Sequence, residues 1–133
     1  MNVVVDANVV VKWYIAEADS AEASLVLEQA HSLVAPGHAL GEIGEVLAVD
    51  RASDDLLSRL ALVPTDLLFQ LAFEIALSAG ISFYDALYVA LADELALPLV
   101  TADAVLARRL AATRWSGRIV LLADWPAAMQ TKQ

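Results

Sequence analysis

Acidic residues follow or interrupt several apolar segments of this chain. Asp6 comes directly after the first apolar segment, and Asp103 is separated by two residues from a later one. If both segments are parallel strands, their carboxyl ends share the sheet edge where open α/β sheets bind ligands. Glu42 and Asp85 stand in helical patterns that can reach the same edge. Carboxylates that converge without basic partners repel one another unless a cation is present, and hard oxygen ligands suit Mg²⁺ or Mn²⁺.

Each acid also has a purely structural interpretation. Ser82 with Asp85 matches a helix capping box, Asp103 fits an N-cap or a first-turn acid, and Asp6 fits a turn former. These alternatives stay open for all three residues. Glu42 differs because its neighbours between residues 39 and 47 are mostly apolar, and burying an unpaired carboxylate is costly. We therefore expect Glu42 not to be a solvated surface residue.

The elements that must position these acids are short β-branched runs alternating with stretches of helical period. This is the pattern of βα units in a buried parallel sheet, so we expect the α/β class and a single domain over residues 1–133. The predicted strands, of which the last is the weakest, are Asn2 to Val5, Leu97 to Val100, Arg118 to Leu122 and Ser32 to Ala35. The predicted helices cover about residues 8–16, 20–31, 36–50, 54–61, 66–79, 83–96 and 103–113.

Composition excludes several kinds of site. The chain has 133 residues and no cysteine, which removes disulfide scaffolds, thiol catalysis and cysteine zinc sites. With only His31 and His38 present, imidazole metal centres are also disfavoured. The mean hydropathy is high, but the longest run without a charged residue, 29–41, is interrupted by Pro36 and Gly37, so we expect no membrane span. The first residues lack the features of a secretory signal, and we expect a cytoplasmic location.

Charge is distributed unevenly along the chain. The net charge is -9, yet residues 104–123 contain no acid and four arginines, namely Arg108, Arg109, Arg114 and Arg118. These arginines form either a solvated helix face or a contact for phosphate groups. Lys12, six residues after Asp6, could also reach a phosphate, or it could extend along the surface of a helix.

Four motifs follow one another along the chain, namely Val3 to Trp13, Leu33 to Pro36 leading to Glu42, Tyr84 to Ala92, and Pro98 to Asp103. In this order they resemble a PIN domain, and within that family the VapC toxins of toxin-antitoxin pairs. The resemblance spans nearly the whole chain. It implies a three-layer α/β/α fold with a central, mostly parallel sheet.

The resemblance also implies an activity and a set of site residues. It implies a ribonuclease dependent on Mg²⁺ or Mn²⁺, with Asp6, Glu42, Asp85 and Asp103 as its catalytic metal ligands. An RNA substrate, a cognate antitoxin and a homodimeric state are implied with it.

Other positions have supporting roles in this comparison. Asn8 and Thr101 stand where PIN domains carry small polar residues that support the site. Glu45, one helical turn after Glu42, is an alternative for the second acid, but it stands where many members have Asn, which implies a neighbouring role. The main departure is the segment between Val49 and Leu67, which is shorter and less basic than the helical hairpin that borders the substrate groove in relatives. This difference bears on target choice.

Four aromatic residues lie beside the expected site. Trp13, Tyr14, Tyr84 and Tyr88 are predicted to be core or interface residues, with base stacking as the alternative.

Rival functions leave different marks on a sequence. A receiver-like phosphoacceptor domain needs a lysine near its last strand, and the only lysines, Lys12 and Lys132, are misplaced for that role. A metal-free ribonuclease would use paired histidines, but His31 and His38 lie outside the four motifs and read as surface or capping residues. A catalytically silent PIN-fold partner is the remaining alternative, and the presence of all four acids argues against it.

Overall fold

The computed structural model describes residues 1–47 and 57–125. Its strands are β1 (Asn2–Val5), β2 (Ser32–Pro36), β3 (Leu60–Val63), β4 (Leu99–Thr101) and β5 (Ile119–Leu121). Its α-helices are α1 (Ala7–Val11), α2 (Ser20–Gln29), α3 (Ala39–Leu47), α4 (Phe69–Ala79), α5 (Phe83–Leu95) and α6 (Ala104–Leu110). Short 3₁₀ helices cover Asp66–Leu68, Ser116–Arg118 and Leu122–Asp124.

The strands form one five-stranded sheet in the order β3-β2-β1-β4-β5, and every strand pair is parallel. The chain builds the sheet outward from β1 through β2 to β3, then crosses over to β4 on the other side of β1. In open α/β sheets the ligand crevice lies at such a reversal, outside the carboxyl ends of the strands. The order also differs from the 2-1-3-4-5 order of receiver domains, which argues against that alternative.

Strand β1 and the middle of helix α5 are largely apolar, as suits segments that are covered on all sides. Val3, Val4 and Val5 of β1 are fully buried, as expected of a strand in the middle of a parallel sheet. In α5 every residue from Ala86 to Ala92 is buried, and this helix packs against β1 and β2 while α4 packs against α5. The result is the expected three-layer α/β/α arrangement, with the sheet entirely rather than mostly parallel.

One strand was not predicted. Leu60–Val63, where the sequence suggested the end of a helix over 54–61, is strand β3 and pairs in register with β2, Leu33 opposite Leu60. A short apolar run is compatible with a strand and with a helix. Here the segment forms a strand because its backbone pairs with the edge of β2. Residues 54–56 of that expected helix lie outside the described part of the chain.

Several boundaries also differ from expectation. The helix predicted over 36–50 begins only at Ala39, because Pro36 keeps the preceding residue extended and ends β2. Its predicted end, 48–50, lies outside the described residues. The helix predicted over 8–16 is the five-residue α1. Helix α4 ends at Gly80, whose positive φ of 66° suits glycine.

The described residues include no single helix long and apolar enough to cross a membrane. Only Asp66–Ala79 and Phe83–Leu95 taken together, as a pair bent by 115°, would pass by length and composition.

Candidate active site

The candidate site is a cavity of about 500 Å³ at the carboxyl edge of the sheet, where β1 and β4 end side by side. Its acidic lining residues are Asp6, Glu17, Glu42, Glu45, Asp85 and Asp103. No lysine or arginine from residues 1–47 or 57–125 lines it. The structure therefore brings all four predicted acids to one cavity, together with Asn8, and the excess of negative charge in its lining favours a cation there.

Asp6 is the most enclosed of these acids, with 7% of the residue exposed. The hydroxyl of Thr101 donates to its Oδ2 over 2.9 Å, and the backbone N–H of Asn8 donates to its Oδ1 over 3.4 Å. The second bond makes Asp6 the N-cap of α1. Its turn-forming and site-lining roles therefore occur together.

Asn8 and Thr101 tie the ends of β1 and β4 to each other. The side-chain amide of Asn8 donates to Thr101 Oγ1 over 3.4 Å, and its carbonyl oxygen accepts from the backbone N–H of Ala102 over 3.1 Å. Thr101 is fully buried and its hydroxyl oxygen also accepts from the backbone N–H of Asp103 over 3.1 Å. One hydroxyl thus links Asp6, Asn8 and the residue that caps α6.

Burial controls the protonation of Asp6. It raises the pKa of this carboxyl from 3.8 to about 7, the bonds from Thr101 and Asn8 lower it, and the charges of Asp85 and Glu42 raise it further. A buried carboxylate near other carboxylates favours its neutral form unless a cation is bound. Asp6 therefore holds a proton near neutrality that a cation would displace.

Asp103 is the N-cap of α6 and Asp85 lies in the first turn of α5, as their structural interpretations predicted. Oδ1 of Asp103 accepts from the backbone N–H groups of Val105 and Leu106, over 2.9 and 3.0 Å, and caps α6. The hydroxyl oxygen of Ser82 accepts from the backbone N–H of Asp85 over 3.0 Å and caps α5. Burial raises the pKa of Asp85, opposed by a hydrogen bond with Ser82.

Glu42 enters the cavity from α3 and is held by Tyr88. The buried Tyr88 hydroxyl donates to Glu42 Oε1 over 2.7 Å and accepts from the backbone N–H of Ala7 over 3.3 Å. Glu42 is therefore not merely a solvated surface residue, but the burial that its apolar neighbours suggested is wrong, because its side chain is 46% exposed. Its apolar neighbours Leu40 and Val46 are themselves about half exposed.

His38 is not the ordinary surface residue that the sequence suggested. Its side chain is 17% exposed, and its Nε2 lies 3.2 Å from Oε1 of Glu42, although neither ring nitrogen has a hydrogen-bond partner among the described residues. Its ring lies against those of Tyr84 and Tyr88, at centroid distances of 5.2 and 4.9 Å. Burial lowers the pKa of His38, against the opposing charges of Glu42 and Asp85. His31, by contrast, is exposed, as expected.

The sequence analysis did not predict Glu17 as a site residue. It named Tyr88 as a core or interface residue but did not predict that its hydroxyl holds Glu42. Glu17 lines the cavity and its Oε1 lies 3.0 Å from Nζ of Lys12, whose side chain is 11% exposed. The signal that could have found Tyr88 is its spacing, one helical turn after Tyr84 and close to Asp85. Of the other predicted aromatic residues, Trp13 donates its Nε1–H to the carbonyl of Ala23 over 2.9 Å.

The four arginines face different partners. Arg109 donates to the carbonyl of Gly80 over 3.2 Å and lines a neighbouring cavity with Asp85 and Asp103. Arg118 lies 3.4 Å from Asp93. Arg114 lies 3.5 Å from Glu74 and its guanidinium lies over the ring of Trp115, whereas Arg108 is exposed. Arg109 is thus the one of the four that the structure places beside two of the acids.

Comparison with protein families identifies the fold. The model of the PIN domain matches residues 3–111, which is most of the chain. The chain belongs to the PIN domain family. No curated protein matches it significantly by sequence.

Solved structures share the architecture of this PIN domain at low sequence identity. A toxin-antitoxin complex from Klebsiella pneumoniae contains a chain with a TM-score of 0.71 and 14% identity, covering 91% of this chain and 98% of that one. A VapC toxin from Mycobacterium tuberculosis that cleaves the sarcin-ricin loop gives 0.64 and 15%, covering 80% and 94%. A protein of Pyrobaculum aerophilum gives 0.69 and 20%, covering 98% and 90%. These likenesses establish the fold.

The donor set of this PIN domain fits a hard divalent cation. Its cavity offers carboxylate oxygens and the amide of Asn8, which are the ligands that Mg²⁺ and Mn²⁺ prefer. Among the residues that the structure describes, no three acidic or histidine side chains already form a metal-binding cluster. Water molecules commonly complete the shell of Mg²⁺, so a few carboxylates around a polar cavity suffice.

Proposed function

We propose that this PIN domain is a metal-dependent endoribonuclease of the VapC type, the toxin of a type II toxin-antitoxin pair that acts in the cytoplasm. The observation that carries the proposal is that Asp6, Glu42, Asp85 and Asp103, which come from four separate parts of the chain, line one cavity. Their combined negative charge would repel a phosphodiester, so a bound cation is needed before RNA can approach.

The same four acids would hold Mg²⁺ or Mn²⁺. When bound, such an ion acidifies a water molecule and neutralises charge on the phosphoryl oxygens. Thr101 fixes the orientation of Asp6 and Tyr88 fixes that of Glu42, because each donates its hydroxyl to a carboxylate oxygen. Because its pKa is raised to about 7, Asp6 is partly protonated near neutrality, and it would hold the ion in its ionised form. Glu45 lines the cavity as a further acceptor.

RNA would approach from the side where cations flank the acids. Arg109 lies in the cavity next to Asp85 and Asp103, and we assign it a contact with a phosphate beside the cleaved bond. Arg108 is exposed on the same helix, and Lys12 lies 3.0 Å from Glu17, which lines the cavity of the four acids. With a net charge of -9, binding relies on these local contacts and on the metal ion.

Protein partners form part of this proposal. The neighbour from Klebsiella pneumoniae is part of a toxin-antitoxin complex, which supports an antitoxin as one partner. A second copy of the chain is the other, and the exposed apolar residues Leu67, Phe73 and Leu77 around α4 are candidates for a protein contact. Copurification with the product of the adjacent gene tests the first partner, and the solution mass of the isolated chain tests the second.

A catalytically silent PIN-fold interaction partner is the second candidate. The absence of a ready-made cluster of three acids among residues 1–47 and 57–125 favours it. The two candidates are distinguished by cleavage. The ribonuclease cleaves RNA when a divalent cation is present, whereas the silent partner cleaves no RNA under any condition.

The test is RNA cleavage by the purified chain in Mg²⁺, in Mn²⁺ and in EDTA. We expect cleavage in either metal and none in EDTA. Asp6→Asn and Asp103→Asn should abolish it, while Glu28→Gln, an exposed acid outside the cavity, serves as the control. Equal cleavage with and without EDTA would refute the metal-dependent mechanism, and a complete lack of cleavage would favour the silent partner.

A further inference from the structure

A second cavity, of about 340 Å³, adjoins the cavity lined by the four acids, which we call the carboxylate cavity. It is lined by His38, Gly41, Glu42, Glu45 and Tyr84. Glu42 and Glu45 line both cavities, so the two spaces lie on either side of these side chains. A molecule whose reacting group occupies the first cavity therefore has room for its neighbouring group in the second.

The distinguishing feature of this second cavity is the ring of Tyr84, which is 61% exposed. The ring is nevertheless packed against its neighbours. It lies against His38 at a centroid distance of 5.2 Å and against Phe83 at 6.1 Å. Phe83 packs in turn on Phe73 at 4.7 Å, and His38 packs edge-on against the buried Tyr88 at 4.9 Å.

These contacts hold an exposed aromatic ring in one place beside the reaction site. Single exposed aromatic residues are common and by themselves need no explanation. Here, however, two neighbours fix the ring and the remaining surface borders a cavity that continues the carboxylate site. A planar group that stacks on this ring would lose little binding energy to ordering of the protein.

The charge of the second cavity selects what can stack there. Its polar lining includes Glu42 and Glu45, and an ionised carboxylate only accepts hydrogen bonds. A phosphate group would be repelled by them. The amino groups of guanine, cytosine and adenine are donors, and protein carboxylates pair with such groups, as with the amino group of cytosine.

We propose that the Tyr84 ring is the stacking platform for one unpaired RNA base next to the cleaved bond, with Glu45 accepting a hydrogen bond from its amino group. This inference rests on the proposed ribonuclease function and names the part of the substrate that gives it selectivity. Proteins recognise RNA sequence mainly in single strands, where bases stack on aromatic side chains and expose their edges. Uracil, which lacks an amino group, is the base that this subsite disfavours.

The experiment combines a change in the protein with a change in the RNA. A short single-stranded oligonucleotide that the parent cleaves is made again with an abasic nucleotide at each position flanking the cut. Tyr84→Ala should raise KM by about 10-fold or more, as expected for the loss of one stacked base. The abasic nucleotide at one position should cause a similar rise in the parent and little further rise in Tyr84→Ala, because the two changes remove the same contact.

Three further variants complete the comparison. Leu95→Ala removes an exposed apolar side chain at the far end of the same helix that lines neither cavity, and it should respond to the abasic nucleotide as the parent does. Tyr84→Phe keeps the ring and should restore most of the lost binding. Glu45→Gln should reduce the preference of the parent for cytosine over uracil at the same position.

The outcomes separate the subsite from the activity. Binding of the oligonucleotide with Ca²⁺ in place of Mg²⁺, which still offers the carboxylates a divalent cation, is measured in parallel as a readout separate from cleavage. If the parent cleaves RNA and Tyr84→Ala matches Leu95→Ala in KM and binding, the subsite is refuted while the ribonuclease stands. If the parent cleaves nothing but Tyr84→Ala still weakens binding, the activity is refuted and the subsite stands. Unchanged RNA binding with impaired copurification of a protein partner would assign the ring to a protein interface and refute the subsite.

Discussion

The hydroxyl of Thr101 donates to Oδ2 of Asp6 over 2.9 Å and so joins the carboxyl ends of β4 and β1 inside the carboxylate cavity. The same oxygen accepts from the side chain of Asn8 and from the backbone of Asp103. A single buried hydroxyl therefore sets the relative positions of two proposed metal ligands. Its removal should affect metal binding more than its contribution to stability alone would suggest.

Thr101→Val tests this arrangement, because valine keeps the shape of the side chain and removes the hydroxyl. We expect cleavage at limiting Mg²⁺ to fall by roughly 10- to 100-fold, the usual effect of removing a group that orients a metal ligand. The free energy of unfolding should fall by about 1–3 kcal/mol, since buried polar groups lose their partner. The measurements are a Mg²⁺ titration of cleavage and denaturant unfolding.

Thr113→Val is the matched control for this change. The Thr113 hydroxyl donates to the carbonyl of Leu110 over 2.7 Å, and Thr113 does not line the carboxylate cavity. Its loss should lower stability without altering the Mg²⁺ concentration needed for half-maximal cleavage. The same Mg²⁺ dependence in both threonine variants would contradict a positioning role for Thr101.

Asp6→Asn tests the raised pKa of Asp6. Because the folded-state pKa of about 7 lies above the ordinary value of 3.8, the folded chain binds this proton more tightly than the unfolded chain. The resulting contribution to stability is complete below about pH 4 and is lost as the pH rises to about 7. Asn carries no such proton. The variant should therefore match the parent near pH 4 and exceed it at pH 8 by up to on the order of 4 kcal/mol.

Urea unfolding of both proteins in EDTA across this pH range measures the difference. Added Mg²⁺ should narrow the gap at pH 8, because the ion stabilises the ionised Asp6 of the parent and the variant has lost that charge. A gap that is independent of pH, or an Asn variant that is less stable than the parent at pH 8, would show that Asp6 serves mainly as the N-cap of α1.

Mg²⁺ itself should stabilise the parent. A ligand present at a hundredfold excess over its dissociation constant adds about 2.7 kcal/mol to the free energy of unfolding. For a chain of this size that corresponds to a rise in melting temperature on the order of 10 °C. Thermal melts with Mg²⁺, and with a monovalent salt at equal ionic strength, separate site binding from general screening. Equal melting temperatures in the two salts would refute the metal site.

The strands and the acids at their carboxyl ends could be predicted because they depend on local sequence. An apolar β-branched run followed by an acid, as at Val5 and Asp6, places a carboxylate at the end of a strand whatever surrounds it. The weak candidate strand over residues 32–35 was also correct and forms β2. By contrast, β3 could not be distinguished from a helix, because only its pairing with β2 identifies it.

The surroundings of Glu42 depend on how α3 and α5 pack, which no local pattern encodes. Apolar neighbours suggested burial, yet Leu40 and Val46 are exposed on the side of α3 that no other described element covers. His38 was read as a surface residue because it belongs to no motif. Its contact with Tyr84 joins residues far apart in sequence and arises only from the tertiary fold.

The last prediction concerns the four arginines of residues 104–123. Among them, the structure indicates Arg109 as the one that contacts a phosphate. Arg109 lies beside Asp85 and Asp103, whereas Arg114 lies 3.5 Å from Glu74 with both side chains more than half exposed. Arg109→Ala should therefore weaken RNA binding and reduce the slope of log affinity against log salt by about 1, as the loss of one phosphate contact does.

Arg114→Ala, which removes the same charge elsewhere, is the matched control and should leave the slope unchanged. Fluorescence anisotropy with a labelled single-stranded RNA at several salt concentrations measures both slopes. If the two variants lower the slope equally, the arginines act through the overall charge of the chain, and Arg109 makes no phosphate contact of its own.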